Sequence, residues 1–248
     1  MRLSRFHVAL PLVVGQALVL PAVTADHAVR VLRARVGDAL LLFNGNGLDY
    51  LVRISASSKS ATTVRIESVQ AGTPESPLCI TLVQALARGE RMDTILQKST
   101  ELGVARIVPV SSERSEVRLD EDRADKRLAH WSQVIASAAE QCGRSRLPEL
   151  LPPQSLAQFA AGLVAVTAAE QRYCLHPDSA TGLAAIKAPH RLVIAVGPEG
   201  GFADRDLAVL DQVGFARLAL GPRILRTETA GPAAITALQA RFGDLAGD

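Results

Sequence analysis

The first 70 residues alternate between apolar and polar positions in the way that is typical of strands with one buried face. From Gly37 onward the pattern predicts three strands separated by polar or glycine-rich breaks, at Ala39–Phe43, Tyr50–Ser55 and Thr62–Val69. Asn44–Gly47 supplies residues that tolerate positive φ, as a tight hairpin requires. Several short strands favour a small barrel. Its earlier elements are predicted at Phe6–Val8, Ala17–Leu20 and the helix His27–Arg35.

A linker is predicted at Gln70–Pro77, and beyond it continuous apolar strands alternate with segments of helical period. The strands are Leu78–Ala87, Ala105–Val110, Leu163–Ala168, Arg191–Val196 and Arg217–Leu220, and the helices are Arg91–Leu102, Ala124–Cys142, Asp204–Val213 and Pro232–Phe242. This order predicts an α/β fold with a mainly parallel sheet, covered on both faces, whose ligands bind at the carboxyl ends of the strands. We expect two domains, residues 1–70 and residues 71–248.

The predicted ends of the helices depend on single residues. Gly103 and Gly143 should close the first two helices, Asp204 should cap the third, and Pro232 should lie in the first turn of the last. Trp131 lies in an apolar stripe of three-and-four spacing, so we interpret it as a packing residue before any ligand role.

Charge is unevenly distributed along the chain. Residues 1–70 hold eight Lys and Arg against four Asp and Glu, whereas the remainder holds 19 against 21. An N-terminal positive surplus points weakly to a polyanionic partner, because Lys and Arg gain affinity from phosphates whatever the sequence. A solvated basic face explains the same surplus equally well.

Three widely spaced cysteines, Cys79, Cys142 and Cys174, form neither a disulfide framework nor a metal-ligand pattern, so we expect no metal and a reducing cytoplasm. Met1–Asp26 has some features of a secretory signal. Pro11 and Gly15 interrupt its apolar run, however, and strand, turn, strand is the favoured interpretation. No stretch reaches the ~18 unbroken apolar residues of a membrane-spanning helix.

Two loops at the predicted ligand edge have unusual composition. Gly197–Gly201 follows one strand, and Gly221–Thr229 follows the next. Both place glycine where a backbone can approach a ligand closely, and Ile224 and Leu225 can supply an apolar wall. On spacing alone, two ordinary connections are an equally good interpretation.

Absent motifs narrow the chemistry. The chain has neither the glycine pattern of dinucleotide-binding folds nor that of a P-loop. It also lacks a serine nucleophile elbow, a His-Glu-x-x-His zinc motif and a paired-cysteine cage. Hydrolase and metalloenzyme functions are therefore disfavoured.

The two loops, read together, resemble the cofactor loops of the RsmE-type RNA methyltransferases, which are SPOUT proteins. The segments that carry this resemblance are Gly197–Phe202 and Leu220–Ala230. Further segments resemble the family in the same order along nearly the whole chain: Arg2–Phe6, His27–Leu32, Gly37–Gly47, Arg88–Met92, Gln97–Gly103, Ser112–Arg114 and Glu140–Arg144.

The resemblance implies a small PUA-like β-barrel that binds RNA, followed by a SPOUT domain with a deep trefoil knot. It also implies a homodimer and S-adenosyl-L-methionine as the methyl donor. The implied reaction is methylation of N3 of a uridine in small-subunit (16S) ribosomal RNA. Nothing in the periodicity itself indicates a knot, and knots are rare.

Site residues follow from the resemblance and from the chemistry of the loops. Cofactor-binding residues are expected at Gly197, Pro198, Glu199, Gly200, Gly201, Leu218, Leu220, Gly221, Ile224, Leu225, Arg226 and Thr229. Arg226 is expected to meet the uridine, and Glu199 and Glu228 are the candidates for accepting its proton. RNA contacts are expected at Arg2, Arg5, Arg30, Arg33, Arg88, Arg114, Arg144 and Arg223.

Each role has an alternative. Glu228 can instead cap the last helix, and Glu199 can instead satisfy loop amides. Several of the arginines can form surface ion pairs with neighbouring glutamates. The whole chain can instead methylate a ribose 2'-oxygen or another base, or act as a non-catalytic RNA-binding assembly factor.

Overall fold

The chain divides into two units of contacting residues. The computed structural model describes residues 3–117, 121–163 and 170–247. The first unit comprises Met1–Glu75 and Ala136–Leu147, and the second comprises Ser76–Ile135 and Pro148–Asp248. The division expected after residue 70 differs, because the last strand of the first unit continues to Ala71 and because a distant segment returns to that unit. Periodicity is local and cannot show such a return.

Five strands form the sheet of the first unit, in the order β1-β3-β4-β5-β2. Strands β1 and β3 are parallel, and the other neighbours are antiparallel. The strands are β1 (Arg5–His7), β2 (Ala17–Val19), β3 (Ala39–Phe43), β4 (Leu48–Ser57) and β5 (Thr62–Ala71). The described pairings end at β1 and β2, so closure into a barrel stays a prediction.

Alternation explains how this sheet buries one face. Leu40, Leu42, Val52, Ile54 and Val64 are all nearly inaccessible to solvent. The hairpin between β3 and β4 has positive φ at both of its glycines, as predicted. The helix expected at residues 27–35 is displaced, since α1 (Ala22–Asp26) begins earlier and continues into a π-helical turn, His27–Val31.

A buried ion pair joins the sheet to the returning segment within the first unit. Arg5 Nη1 donates to Asp49 Oδ2 over 2.6 Å, and both side chains are only 7% exposed. Arg5 Nη2 also donates to Ser145 Oγ, which in turn donates to the other oxygen of Asp49. Arg144 is buried as well and pairs with Glu75. Arg5 and Arg144 are therefore better explained as internal ion-pairing residues than as the RNA contacts we predicted.

The sheet of the second unit is parallel throughout, in the order β12-β10-β11-β6-β7-β8, and β9 also pairs with β7. Its strands are β6 (Cys79–Ala85), β7 (Arg106–Ser111), β8 (Glu149–Leu150), β9 (Gln154–Ser155), β10 (Glu170–Leu175), β11 (Arg191–Val196) and β12 (Ala216–Leu218). The helices are α2 (Glu90–Glu101), α3 (Glu121–Cys142), α4 (Leu156–Ala161), α5 (Asp204–Gln212) and α6 (Thr227–Phe242), with a 3-10 turn at Leu183–Ala185.

Helices cover both faces of this sheet, as predicted. On one face, apolar residues of α4 and α5 join Val83 and Val193 in one buried cluster. On the other face, α6 packs against β6 and β11, and α2 packs against α6. Trp131 is 2% exposed, which confirms its packing role. Within the described residues no helix is both long and apolar enough to span a membrane.

Three predicted elements of the second unit need correction or lie outside the described residues. Helix α6 begins at Thr227, so Pro232 lies inside the helix and not in its first turn. The cap of α5 is provided by Asp206, whose carboxylate accepts from the Ala203 amide, and not by Asp204. The strand expected at residues 163–168 falls almost wholly on residues that the structure does not describe.

We predict that the buried pair stabilises the protein far more than an exposed pair of the same sheet. D49N leaves the charge of Arg5 buried without its counter-charge, and we expect the free energy of unfolding to fall by about 3–5 kcal/mol. The control E67Q breaks the Arg53–Glu67 pair, whose side chains are 48% and 32% exposed, and should cost about 1 kcal/mol or less. Urea unfolding of the two variants measures both values, and equal losses would contradict the prediction.

Candidate active site

A cavity of about 560 Å³ opens where three strands of the second unit end. Strands β10, β11 and β12 are parallel, so the segments that leave their carboxyl ends meet at one edge of the sheet. The lining residues are Arg91, Arg114, Leu175, His176, Pro177, Val196, Gly197, Pro198, Glu199, Gly200, Gly201, Phe202, Leu218, Leu220, Gly221, Arg223, Ile224, Leu225, Arg226, Thr227, Glu228 and Ala230.

The loop after β11 folds back tightly on its first residue. A Cβ atom on Gly197 would lie 2.9 Å from the Phe202 nitrogen and 3.0 Å from Gly201 Cα, closer than real side chains approach a backbone. The Gly201 amide donates to the Pro198 carbonyl over 2.9 Å, and Gly201 has a φ of +67°. Glycine is therefore required at position 197 by the lack of space, and it is favoured at position 201 by the positive φ.

Glu199 fastens that loop to the start of α2. Its Oε1 accepts from Arg91 Nη1 over 2.6 Å and from the Arg88 amide over 3.1 Å. Partial burial raises the pKa of the Glu199 carboxyl group, but hydrogen bonds from the Arg88 and Glu199 amides and from Arg91 more than offset it. The net pKa lies below the ordinary value, so the carboxylate stays charged and bound to its partners.

The loop between β12 and α6 is more open. Gly221 has a φ of +78°, and Ile224 is 84% exposed at the cavity. Arg226 is the residue before the first turn of α6, and its carbonyl accepts from the Thr229 and Ala230 amides. The Arg226 side chain is exposed and lines the cavity at the positive end of the helix, where negative charge on a ligand is stabilised.

Glu228 differs from Glu199 in its surroundings. The side chain of Glu228 is 20% exposed, and its nearest ion-pair partner, Arg91 Nε, is 3.9 Å away. Glu228 lies in the first turn of α6, where a negative charge is stabilised by the positive end of the helix, and the side chain of the preceding residue Arg226 makes no capping hydrogen bond. In the described parts of the chain, no group of three or more His, Cys, Asp or Glu side chains is arranged to hold a metal ion.

Comparison with known proteins gives this cavity a chemical context. Residues 74–239 match the model of an RNA methyltransferase domain, and residues 24–67 match that of an RNA methyltransferase PUA domain. Ribosomal RNA small subunit methyltransferase E of Buchnera aphidicola from Schizaphis graminum is 32% identical, over 98% of each chain. The chain belongs to this family of RNA methyltransferases.

Two solved structures with bound cofactor have the same fold. A putative methyltransferase from Legionella pneumophila, in complex with S-adenosylmethionine, superposes with a TM-score of 0.93 at 39% identity, over 99% of this chain and 100% of the other. Ribosomal RNA small subunit methyltransferase E from Neisseria gonorrhoeae, bound to S-adenosyl methionine, gives 0.89 at 38%, over 98% and 100%. The family matches confirm the resemblance that the loops indicated.

The structure of this methyltransferase brings the predicted cofactor residues together, with one exception. All of them line the cavity except Thr229, whose exposed side chain lies on the first turn of α6. The candidate catalytic residues Arg226, Glu228 and Glu199 share the cavity as well. Arg114 and Arg223, expected to bind RNA, also line it, and Arg114 Nη1 donates to the Gly200 carbonyl over 2.9 Å.

The remaining arginines that were expected to bind RNA differ in their exposure and in their ion-pair partners. Arg88 forms an ion pair with Glu116. The side chain of Arg30 is 76% exposed and pairs with its helical neighbour Asp26, while Arg33 is exposed with a φ of +58°. Arg2 lies outside the described residues.

Sequence reasoning missed three parts of the cavity. Arg91 was not among the expected site residues, although its distance to two candidate carboxylates makes it central. Leu175–Pro177 lie at the end of β10 and directly after it, and the sequence of this strand lacks an apolar run and contains the buried Arg172. Thr227 was passed over because α6 was expected to begin later. A search for charged partners within the family-like segment Arg88–Met92 was the available signal.

We predict that Gly197 cannot be replaced even by alanine. G197A forces the loop apart against backbone atoms and should lower the free energy of unfolding by about 1–3 kcal/mol. G200A is the matched control, because a Cβ there meets only Arg114 side-chain carbons, at 3.5 and 3.6 Å. Urea unfolding and thermal melting check this, and a G197A protein as stable as G200A would show that the loop is looser than described.

Proposed function

We propose that this methyltransferase transfers the methyl group of S-adenosyl-L-methionine to N3 of a uridine in small-subunit (16S) ribosomal RNA. The observation that carries the proposal is the cavity between the two glycine loops, in a chain that aligns almost end to end with proteins crystallised with this cofactor. The acceptor atom is proposed from the family resemblance, since the loops themselves concern the methyl donor.

The loops offer the cofactor backbone groups and an apolar wall. Backbone of Gly197–Gly201 and of Leu220–Leu225 lines the cavity, and Leu218 lies among the lining residues as well. Ile224 is the side chain with most apolar surface left in water here, so a bound adenosine would cover it. Such a site holds the donor by shape and by backbone hydrogen bonds.

Bound S-adenosyl-L-methionine supplies an electrophilic methyl group, whose bond to sulfur breaks as its bond to N3 of the uracil forms. The N3 proton must leave, and the uracil ring carries negative charge on the way. Arg226, with Arg223 beside it, is positioned at the cavity to stabilise that charge. Holding donor and acceptor in line supplies a large part of the rate enhancement.

Between the two carboxylates, we propose Glu228 as the proton acceptor. Glu199 already accepts two hydrogen bonds that fix its loop, and its lowered pKa makes it a poor base. Glu228 does not fix a loop in this way, and Arg91 lies near enough to orient its carboxylate.

The decisive experiment supplies the protein with S-adenosyl-L-methionine and small ribosomal subunits that lack the modification. We expect 3-methyluridine to appear when the RNA is digested and its nucleosides are identified by mass spectrometry. A ribose-methylated nucleoside would refute the acceptor atom while leaving the methyltransferase intact. Absence of any product together with absence of cofactor binding would refute the proposal as a whole.

The same assay tests the proposed RNA contacts. Arg30 and Arg33 remain exposed, in the part of the chain with the positive surplus. An R30Q/R33Q variant should require more RNA for the same rate and show a flatter dependence of RNA affinity on salt concentration. Its affinity for S-adenosyl-L-methionine should be unchanged, because both residues lie outside the cavity.

We predict that E228Q and E199Q fail in different ways. E228Q should lower kcat by about 10²–10⁴-fold with little change in cofactor affinity, because it removes the proposed base. E199Q should mainly weaken cofactor binding, because it loosens the loop. Steady-state kinetics and calorimetric titration separate the two outcomes, and a larger kcat loss in E199Q would reverse the assignment.

The pH dependence of stability provides a control on E199Q. The pKa of Glu199 is lower in the folded than in the unfolded protein. The charged carboxylate therefore contributes to the free energy of unfolding above the unfolded pKa, and this contribution is lost as the pH falls through the folded pKa. The difference in melting temperature between the wild type and E199Q should therefore exist at neutral pH and vanish in acid.

We also propose, from the family resemblance, that the second unit contains a deep trefoil knot and that the protein works as a homodimer. The strand order sets β11 beside β6, which is compatible with a threaded chain. The knot is tested by determining the structure experimentally, joining the two ends of the backbone into a closed curve and asking whether that curve is a trefoil. Sedimentation velocity at micromolar concentration tests the homodimer, since a single 26.3 kDa species would exclude the dimer.

A further inference from the structure

A chain of buried hydrogen bonds lies behind two residues of the cavity. Gln84, on β6, is completely buried, and Thr227, the first residue of α6, is 6% exposed. Gln84 Nε2 donates to Thr227 Oγ1 over 3.0 Å. Thr227 Oγ1 donates to the Gly197 carbonyl over 2.7 Å. One hydroxyl group thus connects the loop that ends at Arg226 with the loop that begins at Gly197.

The donor and acceptor roles in this series of hydrogen bonds are fixed by the chemistry of its groups. Gln84 Nε2 also donates to the Ala85 carbonyl over 3.0 Å, which can only accept, so the nitrogen of the carboxamide must face that side. The Thr227 hydroxyl group then accepts from Gln84 and has one hydrogen left, which the Gly197 carbonyl receives. The position of that carbonyl is therefore set from the sheet.

This arrangement has a cost that packing alone does not explain. Gln84 Oε1 is buried, and among the described residues it has no hydrogen-bond partner. An unsatisfied buried oxygen destabilises a protein, and an apolar side chain of similar size at this position would avoid the penalty. The carboxamide group of Gln84 is better explained by the bond that its nitrogen makes to Thr227, which lines the cavity.

Gly197 is the point where a small displacement has the largest effect. The loop folds back on Gly197 with no space for even one methyl group, so a shift of its carbonyl moves the whole turn. Thr227 immediately follows the second loop. The hydroxyl group therefore links the start of one loop to the residue that directly follows the other.

We propose that Gln84 and Thr227 are positioning residues, which hold the two loops at the separation that S-adenosyl-L-methionine requires. The inference rests on the proposed function, because it concerns the affinity of the same cavity for that cofactor. Neither residue is a catalytic group, and both act through the Gly197 carbonyl.

The experiment compares the affinity for S-adenosyl-L-methionine, measured by calorimetric titration, in T227V, T227S, Q84M and T236V. T227V removes the hydroxyl group at nearly constant volume and should weaken binding about tenfold, a loss of ~1.4 kcal/mol. T227S restores the hydroxyl group and should recover affinity to within about threefold of the wild type, a difference of less than ~0.7 kcal/mol. T236V is the matched control, because Thr236 is an exposed threonine of the same helix that bonds only within it.

Q84M separates positioning from stability. It removes both the donor and the unsatisfied oxygen, so the cofactor-free protein should melt at the same or a higher temperature while its cofactor affinity falls about threefold or more, or ~0.7 kcal/mol. A structural role would lower the melting temperature and leave the affinity of the folded protein unchanged, which would overturn the proposal. Equal weakening in T227V and T227S would also overturn it, because packing and not the hydrogen bond would then matter. A wild-type protein that binds no cofactor would instead refute the proposed function.

Discussion

The tight turn over Gly197 is the constraint on which the rest of the site depends. Backbone atoms of Gly201 and Phe202 occupy the space where a side chain on Gly197 would be, so the turn is closely packed on its first residue. That shape sends Glu199 toward Arg88 and Arg91 and leaves the Gly197 carbonyl facing Thr227. The close packing at Gly197 thus affects the positions of Glu199, of Arg91 and of Thr227 at the start of α6.

The parallel sheet supplies the other half of the arrangement. Three neighbouring strands deliver their following segments to one edge, so short loops that are far apart in sequence become walls of one cavity. Helix α6 begins directly after the second loop, and its positive end faces the same space. Binding of the donor and the proposed stabilisation of an anionic acceptor are therefore assigned to one place, which regular elements and short loops build.

Apolar runs and periodicities in the sequence predicted the elements that depend on residues close together in the chain. Strands β3 and β11 have the predicted bounds because each is a continuous apolar run between breaks. Strand β10 was missed because Arg172 is buried within it, and α6 was shortened because Pro232 was taken as a first-turn residue. The glycine loops were singled out by their composition and their position after strands, and their cofactor role came from the family resemblance. Arg91 was undervalued, and Arg5 was misassigned, because ion pairs between residues distant in the chain leave no periodic signal.

The exposure of Ile224 has a calorimetric consequence. Its side chain is 84% exposed at the cavity, so apolar surface stands in water until a ligand covers it. Covering such surface lowers the heat capacity of the system, whereas burying polar groups of the loops acts in the opposite direction and more weakly for the same area. The enthalpy of cofactor binding will therefore become more favourable as the temperature rises, and this one isoleucine will account for a measurable share of that slope.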